Sequence, residues 1–366
     1  MRVSPEPVLA PADPHLATGQ PRVVVTGAAG PLGRRVCTRL AADPGVADVV
    51  ALDRRDAPAG DRPVDLLADD LEPLFLGATS VVHLASVFGP ALDGDPEVDA
   101  AADVAMARRV LAAAAATGVG QVIVLSSATV YGPWANNPVP LTEDAPLRPE
   151  PGLAFAVQKA EIERLVGEWS EDHPEVVVTV VRPALPIAED HQGWLARALR
   201  AAGAVRGPDD DPPAQFVHLD DLAGAIDQLR LDRRAGTFNV AADGWLTPTE
   251  FRELAGATGG VRAPRWLADR VGALRWRFRL APTPPGAQAY ARGSFVVAND
   301  RLRATGWEPT QRNDEAYVGA VPAGPWATVS PRRRQEIALG ATGVGLAGIV
   351  TTVVLLVRRS RRNRPS

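Results

Sequence analysis

Lysine and cysteine are almost absent from this sequence of 366 residues. Lys159 is the only lysine beside 38 arginines, and Cys37 is the only cysteine. A single cysteine excludes an internal disulfide framework and a cysteine-ligated zinc cluster, so we expect no metal site. The ammonium group of lysine is a compact point charge, whereas the guanidinium group of arginine is planar with several donors, so the two are not interchangeable. The one retained lysine therefore points to a role at position 159 that a guanidinium does not fill.

The first 20 residues lack the continuous apolar segment that a secretory signal requires. They contain four prolines and few large apolar residues. Residues 1–20 are therefore predicted to form a disordered leader. A reduced intracellular environment is consistent with the single cysteine.

Charge is distributed unevenly along the chain. The net charge is −4 at pH 7. Residues 331–366 contain eight arginines and one acid, a net charge of +7, which leaves −11 for the rest of the chain. Nucleic-acid-binding domains carry a basic patch or stripe, so this acidic body argues against nucleic acid as a partner.

A glycine-rich turn follows the first predicted strand, residues 22–26. Gly27, Gly30 and Gly33 precede an apolar pattern of helical period. Glycines at this spacing let the backbone turn tightly and approach a pyrophosphate at the amino end of the helix. A second strand ends at Asp53, 20 residues beyond Gly33, where a carboxylate can accept the ribose 2′-hydroxyl of NAD. The order strand, glycines, helix, strand and acid predicts a dinucleotide site.

The residues at the end of this second strand distinguish NAD from NADP. The carboxylate of Asp53 would repel a 2′-phosphate, which favours NAD. Arg54 and Arg55 follow directly and could pair with such a phosphate, so NADP stays open as the less favoured cofactor. NAD is the predicted cofactor.

Short apolar strands alternate with helical patterns through the first half of the chain, which predicts an α/β fold with a Rossmann-type doubly wound parallel sheet. Residues 21–183 are predicted to form mainly the NAD-binding domain, and residues 184–321 mainly a small substrate-capping lobe. Prolines in residues 322–336 indicate a linker. A transmembrane helix is predicted at 337–357, followed by a basic tail at 358–366.

Six motifs carry a resemblance to a known family. They are Thr26–Gly33, Val82–Ala85, Leu125–Gly132, Val181–Pro183, Phe216–Leu222 and Leu302–Pro309. On these motifs the chain resembles the extended short-chain dehydrogenase/reductases, the NAD-dependent epimerase/dehydratase group, over about residues 21–320. The resemblance is specific for the fold and for a nicotinamide dinucleotide, and much less specific for the substrate.

The resemblance implies a catalytic Ser, Tyr and Lys, in which the Tyr exchanges a proton with the substrate oxygen while hydride moves to or from the nicotinamide. Ser127 matches the Ser and Lys159 the Lys, which in the family holds the nicotinamide ribose. The Tyr position is occupied by Phe155, which has no proton to transfer. The cofactor-binding residues implied are Gly27, Gly30, Leu32, Gly33, Asp53, Arg54, Asp65, Leu66, Leu84, Ala85, Lys159 and Pro183.

Phe155 leaves two hypotheses for the function. The first is a membrane-anchored oxidoreductase or epimerase/dehydratase relative that acts on a hydroxyl or keto substrate, either a sugar nucleotide or a lipophilic molecule, without the usual Tyr. Tyr131, His83 or a water held by Ser127 would then provide the acid/base. The second is a catalytically silent protein that senses NAD(P) or scaffolds partners. Asp103 aligns where the family often has Asn.

Two segments indicate a membrane. Residues 337–357 are a run of 21 uncharged residues flanked by arginines, long enough to span a bilayer. Small residues in this run could let two helices pack, so a homodimer is an open prediction. Arg262–Leu280 contains six arginines and one acid with Trp266, Trp276 and Phe278. It is interpreted as a lobe helix that closes the substrate pocket, and a contact with an anionic membrane is the alternative.

The orientation of the anchor gives a first prediction. The arginines beyond the span place the C-terminus inside by the positive-inside rule, whereas a body that needs NAD belongs in the cytoplasm. We give more weight to the cofactor and predict a single-pass C-terminal anchor with the body in the cytoplasm. In sealed right-side-out vesicles, added protease should therefore leave the body intact until detergent is added. Digestion of the body in sealed vesicles would reverse this orientation.

Overall fold

The central sheet and the helices around it are seen in a computed structural model. The model describes residues 21–55, 63–87, 96–203, 205–206, 212–254, 261–262, 264–278, 284 and 286–321. These residues belong to one compact unit. The predicted leader (1–20), linker (322–336), membrane span (337–357) and basic tail (358–366) lie outside the described residues.

The regular elements follow the alternation expected from the sequence. Within the described residues the strands are β1 (Arg22–Thr26), β2 (Asp48–Leu52), β3 (Ser80–His83), β4 (Gln121–Leu125), β5 (Val177–Pro183), β6 (Leu185–Ile187), β7 (Val205–Arg206), β8 (Phe216–His218), β9 (Gly236–Val240) and β10 (Val261–Arg262). The helices are α1 (Pro31–Ala42), α2 (Glu72–Phe75), α3 (Pro96–Ala116), α4 (Ala154–Asp172), α5 (Trp194–Ala202), α6 (Leu219–Leu231), α7 (Pro248–Leu254), α8 (Arg265–Arg277), α9 (Ala287–Tyr290), α10 (Asp300–Arg303) and α11 (Asn313–Ala320).

Six strands form one parallel sheet in the order β2-β1-β3-β4-β5-β9. In register, Val24 of β1 lies between Val50 of β2 and Val81 of β3. The β-branched runs suit strands that are covered on both faces, because parallel sheets bury both sides. The strand order reverses beside β1, and ligands of open α/β sheets bind at such a switch point beyond the carboxyl ends of the strands.

Helices cover both faces of the sheet. On one face α1 packs against α6, and residues such as Leu40 and Ile226 share a core with the strands. On the other face α3 packs against α4 through residues such as Val110 and Ile162. Each fully buried aliphatic side chain contributes roughly 1.5–3 kcal/mol. The two cores therefore hold the carboxyl ends of the strands in a fixed arrangement.

Two elements that follow part of the lobe in the sequence, α6 and β9, belong with the main sheet. The sequence division places residues 184–321 mainly in the lobe, whereas β9 pairs with β5 and α6 covers the sheet. The sequence of residues 236–240 predicts a strand but does not show which sheet that strand joins. That choice depends on packing between residues far apart in sequence.

The lobe lies after β5 and has its own core. β6 pairs with β8 and β7 with β10. Phe216, Phe251 and Tyr317 pack as a ring cluster with centroids 5.2–6.1 Å apart. Among the helices that the structure describes, none is both long enough and apolar enough to cross a bilayer.

A buried ion pair joins α4 to β5. Arg182 Nη2 lies 2.6 Å from Glu163 Oε2, and both side chains are under a tenth exposed. Arg182 also donates to the hydroxyl of Tyr131, and the backbone carbonyl of Glu143 accepts from it. These partners satisfy a charge that would otherwise be costly to bury.

This ion pair gives a stability prediction. Glu163→Ala should lower the free energy of unfolding by about 3–5 kcal/mol, because Arg182 would stay buried without its carboxylate. Glu161→Ala is the matched control on the same helix, since its ion pair with Arg164 is exposed and should contribute little to stability. Urea unfolding measures both. Equal losses in the two variants would contradict a special role for the buried pair.

Candidate active site

The glycine-rich turn is shaped by close contacts between backbones. Gly27 has φ +74°, and a Cβ there would lie 2.7 Å from the amide nitrogen of Ala85. A Cβ on Gly33 would lie 2.1 Å from the carbonyl oxygen of Gly27. Both positions therefore require glycine, the first for its φ and its contact with the end of β3 and the second for the packing of α1 on the turn.

The amino end of α1 opens onto a cavity at the carboxyl edge of the sheet. The helix begins at Pro31, and its N-cap residue Gly30 makes no side-chain capping bond. The first amides of a helix lack intrahelical partners and carry the positive end of the dipole. This end of α1 is consequently suited to an anionic group such as a pyrophosphate.

The cavity has a volume of about 580 Å³. Most of the sequence-predicted cofactor residues line it: Gly27, Gly30, Leu32, Gly33, Asp53, Arg54, Leu66, Leu84 and Ala85. Three of the predicted residues, Asp65, Lys159 and Pro183, are not in its wall. The structure thus brings together nine residues from four separate segments of the chain.

Asp53 is held in a fixed position at the end of β2. Its Oδ2 accepts from the amide of Ala29 at 3.0 Å, and its Oδ1 accepts from the amide of Arg55 at 2.9 Å. The Arg55 side chain lies exposed beside the same carboxylate, with Nε 3.3 Å from Oδ1. The carboxylate oxygens can accept further bonds, so Asp53 can receive ribose hydroxyls, as the sequence predicts.

Two further predicted residues, Asp65 and Pro183, lie outside the cavity wall. Asp65 Oδ1 accepts from the amide of Leu67 at 2.9 Å, which shapes the turn that places Leu66 in the cavity. Pro183 ends β5 and is buried. Their direct contact with a cofactor remains a prediction.

Three cavity residues that follow β5 in the sequence were not predicted to belong to the site. His191, Trp194 and Arg197 line the side that belongs to the lobe. They come from the irregular stretch after β5, and no local pattern relates that stretch to the glycine-rich turn. Arg197 adds a cation to the cavity wall and so offers a second place for anionic groups in addition to the start of α1.

Lys159 is buried next to the cavity, and one hydrogen bond links it to a residue of the cavity wall. Its Nζ donates to the carbonyl oxygen of Leu125 at 3.0 Å, and Leu125 lines the cavity. Burial lowers the pKa of the Lys159 ammonium, while the charges of Asp103 and Glu163 act in the opposite direction without fully compensating. Lys159 is therefore a buried amine at the edge of the site, and the two nearby carboxylates favour its charged form against the effect of burial.

Phe155 lies on the same face of α4 as Lys159, one turn earlier. Lys159 Nζ lies 5.8 Å from the centroid of the Phe155 ring. The ring meets Trp194 edge to face with centroids 4.9 Å apart. A phenyl group thus fills the position beside Lys159 and contacts the lobe wall of the cavity.

Ser127 lies two residues beyond the end of β4 and is the N-cap of a short 3₁₀ helix, Ala128–Tyr131. Its Oγ accepts from the amide of Thr129 at 3.3 Å and from the hydroxyl of Thr129 at 3.0 Å. Neither bond uses the hydroxyl hydrogen of Ser127. Ser127 can therefore donate that hydrogen to a substrate oxygen or a water.

Tyr131 is not placed to replace the missing Tyr hydroxyl. Its side chain is fully buried, and its oxygen donates to Asn239 at 2.8 Å and accepts from Arg182 at 2.7 Å. Burial raises the pKa of Tyr131 to about 12, although Arg182 acts to lower it. Both bonding directions of the hydroxyl are thus occupied within the core.

His83 is also unsuited to proton exchange. It is buried at the end of β3, and its Nδ1 lies 2.7 Å from the hydroxyl oxygen of Thr26. Burial and the nearby charge of Lys159 lower the pKa of His83 to about 3. The imidazole is therefore neutral near pH 7 and, being buried against Thr26, is poorly placed to exchange a proton with a substrate, so a water held by Ser127 is favoured among the three proposed acid/base groups.

Asp103 of α3 is engaged in a buried network. Its carboxylate accepts from the hydroxyl of Ser86, from the amide of Val87 at 2.7 Å and from Gln158 at 2.5 Å. Ser86 and Val87 line the cavity. Asp103 therefore fixes the segment after β3 and contributes a negative charge near Lys159.

A second, smaller cavity of about 70 Å³ lies in the lobe. Aromatic and aliphatic side chains dominate its wall, among them Leu185, Phe216, Phe251, Tyr290 and Phe295, and Arg200 is the one charged residue in that wall among the described residues. Helix α5 separates the two cavities, because Trp194 and Arg197 face the larger one and Ala196, Leu199 and Arg200 the smaller.

The whole arrangement agrees with a family match over residues 23–241. The chain belongs to the NAD dependent epimerase/dehydratase family. This confirms the resemblance predicted from the six motifs.

Several known proteins are similar to this chain. A 3-diazoavenalumate denitrifying reductase of Streptomyces sp is 32% identical over 314 residues, 79% of this chain and 96% of the relative. An uncharacterized protein of Mycobacterium tuberculosis is 28% identical over 309 residues, 81% of this chain and 82% of the relative.

Solved structures share the fold. MoeE5 in complex with UDP-glucuronic acid and NAD is 22% identical with a TM-score of 0.61, covering 82% of this chain and 97% of that protein. The Bordetella bronchiseptica enzyme WbmG in complex with NAD is 20% identical with a TM-score of 0.59, covering 83% of this chain and 94% of that protein.

The depressed pKa of His83 predicts a pH dependence of stability. The unfolded chain binds a proton at His83 below its ordinary pKa of 6.5, whereas the folded chain does so only near pH 3. Stability is thus lost as pH falls, by about 2 kcal/mol between about pH 7.5 and about pH 5. His83→Asn keeps a polar partner for Thr26 and should lack this part of the slope in urea unfolding. An unchanged slope would show that His83 is not buried in its neutral form.

Proposed function

We propose that this chain binds NAD in the larger cavity and transfers a hydride between the cofactor and a hydroxyl or keto carbon of a lipophilic substrate, without a proton from residue 155. The observation that carries the proposal is the pairing of Phe155 with Lys159 on one face of α4, beside a cavity lined by nine of the twelve residues expected to bind the cofactor. The family to which the chain belongs is NAD-dependent.

The cavity suits a dinucleotide in its donor set. The uncapped start of α1 would take the pyrophosphate, and Asp53 would accept the adenosine ribose hydroxyls. Lys159 would hold the nicotinamide ribose. The fixed Asp53 carboxylate disfavours a 2′-phosphate, which supports NAD over NADP. Once bound, NAD supplies or accepts the hydride.

The protein's own part in the reaction is orientation and polarisation. Ser127 would donate its hydroxyl hydrogen to the substrate oxygen, and the ammonium of Lys159 would favour negative charge at that edge of the site. Reduction of a ketone consumes one hydride and one proton, and the proton would come from a water bound at Ser127. A positioned acid contributes about 10²–10⁴-fold, so we expect slow turnover on such substrates.

The smaller cavity favours a lipophilic substrate over a sugar nucleotide. Its wall is mainly apolar, and Arg200, which donates to Gln192 at 2.7 Å, is the one described cation in it. A diphosphate carries at least two negative charges, which would need more cations than this wall provides. An apolar cavity of 150 Å³ holds a benzene ring, so about 70 Å³ suits a smaller branched or partly inserted apolar group.

One relative suggests a reaction type that avoids the acid altogether. That protein is named a 3-diazoavenalumate denitrifying reductase. When hydride attacks a carbon that carries a diazonium group, the new C–H bond uses the hydride pair, and the C–N pair leaves with N₂. No proton is consumed. Phe155 would not hinder a substrate of this kind.

A catalytically silent NAD-binding protein is the second candidate, and Phe155 is the observation that favours it. The phenyl ring of Phe155, at the position of the family's Tyr, preserves the packing against Trp194 but lacks the hydroxyl group that would exchange a proton. Such a protein would sense the cofactor or present a surface to partners. Both candidates keep the C-terminal anchor proposed from residues 337–357, with the body in the cytoplasm, and a dimer through the spans remains part of the proposal.

Cofactor binding and turnover separate the candidates. Full-length protein in detergent should bind NAD in calorimetry more tightly than NADP. Ketone, hydroxyl and diazonium substrates with apolar groups should then change the nicotinamide absorbance. Phe155→Tyr should raise kcat on ketones by about 10²-fold or more, because it restores the acid. The same variant should leave turnover of a diazonium substrate unchanged.

Matched variants identify the reason for each outcome. Lys159→Arg replaces the ammonium by a guanidinium, the cation found elsewhere in the chain. It should weaken NAD binding because the larger planar group does not fit the buried contact with the carbonyl of Leu125. Ser127→Ala in the Phe155→Tyr background should remove most of the gained turnover. Binding without turnover in the wild type, with turnover in Phe155→Tyr, supports the silent protein. Failure to bind either dinucleotide contradicts both candidates.

A further inference from the structure

Helix α8 presents large apolar side chains to solvent. Trp266 is 61% exposed, Leu274 56% and Phe278 61%, and Leu267 is also exposed. Four of the exposed large hydrophobic residues in the described part of the chain thus lie within 13 positions of one another. Isolated exposed apolar side chains are normal, but a contiguous group of them indicates a contact surface.

The exposed side chains fall on one side of the helix. At 3.6 residues per turn, Trp266, Leu274, Leu267 and Phe278 lie within an arc of about 120°. Arg270 and Arg277 lie inside the same arc and are exposed. Arg270 is placed 5.6 Å from the centroid of the Trp266 ring. We define these six residues as the outer arc of α8.

The opposite side of α8 is attached to the lobe. Gly272 packs against the side-chain amide of Gln288, which would clash with a Cβ at that position. Asp269 Oδ1 forms an ion pair with Arg292 at 2.8 Å. These contacts set the rotation of the helix about its axis. The outer arc is therefore directed away from the lobe by the packing of its other side.

The chemistry of the outer arc is that of an interfacial helix. Helices that lie on membranes combine Trp, Phe and Leu with arginines that meet anionic headgroups. The only acid of residues 262–280 is Asp269, which belongs to the attached side. The arc is thus a basic and apolar surface on a body that is otherwise acidic.

We propose that the outer arc of α8 docks onto an anionic lipid surface. The charge of the arc complements anionic headgroups, and arginines near such a surface add to its affinity. A second copy of this chain would instead bring arginines against arginines. The chain also continues beyond Val321 to a run of 21 uncharged residues at 337–357, which would hold the body close to a bilayer. The proposal does not depend on catalysis.

The single native cysteine makes a direct test possible. Burial raises the pKa of the Cys37 thiol to about 11, so a thiol-reactive label should spare it. Full-length Leu274→Cys carries a fluorophore on the outer arc. Leu76→Cys is the matched control, since Leu76 is 59% exposed and its carbonyl accepts from Arg22, at the amino end of β1. Both proteins are reconstituted in vesicles with a nitroxide label in the lipid headgroup.

In vesicles of equal parts phosphatidylcholine and phosphatidylglycerol, quenching at position 274 should exceed quenching at position 76 by at least about twofold. It should fall by at least about twofold in phosphatidylcholine alone, in about 1 M salt, or with Arg270→Gln and Arg277→Gln together. Equal quenching at positions 274 and 76 overturns the proposal. The proposal is also overturned if, in the absence of lipid, the label at position 274 is shielded from a water-soluble quencher. That result would assign the outer arc to a protein partner.

Discussion

The seating of α4 on the carboxyl ends of β4 and β5 is the constraint on which the candidate site depends. Lys159 donates to a carbonyl at the end of β4, and Glu163, one turn later, pairs with Arg182 of β5 and accepts from the hydroxyl of Ser126. Residues four apart share a helix face. Phe155 lies on that same face, so the two polar contacts that fix the helix also fix the ring. The polar contacts of Lys159 and Glu163 therefore fix the position of the uncharged Phe155 side chain.

Local patterns sufficed to predict the cofactor half of the site. The β-branched strand, the spaced glycines and Asp53 lie within 32 residues, and each has a backbone or charge requirement that only those residue types meet. Phe155 could be found because the family resemblance aligns it with the catalytic Tyr, four residues before Lys159. Residues His191, Trp194 and Arg197 could not be found, because they reach the cavity only through the folding of the lobe against the sheet. The sequence likewise does not show that β9 joins the main sheet, since the pairing of a strand is a long-range property.

Contacts between α1 and the lobe side set the width of the larger cavity. Arg35 of α1 forms ion pairs with Asp190 at 2.7 Å and Asp220 at 2.8 Å. Asp190 precedes the segment that carries Trp194 and Arg197, and α5 is also the wall of the apolar cavity. A ligand that displaces α5 in one cavity therefore changes the shape of the other. By thermodynamic linkage, each ligand would alter the affinity of the other by the same factor.

The burial of the one lysine has a consequence for the chemistry of the whole surface. Lys159 is 5% exposed, and every other basic side chain apart from the histidines is a guanidinium. The folded protein thus offers no accessible ε-amine, so acylation, reductive alkylation and amine cross-linking have only the terminal α-amino group to attack. An amine-directed reagent that does modify a side chain must have reached Lys159 beside the larger cavity, and protection by an added dinucleotide would report occupancy of that cavity.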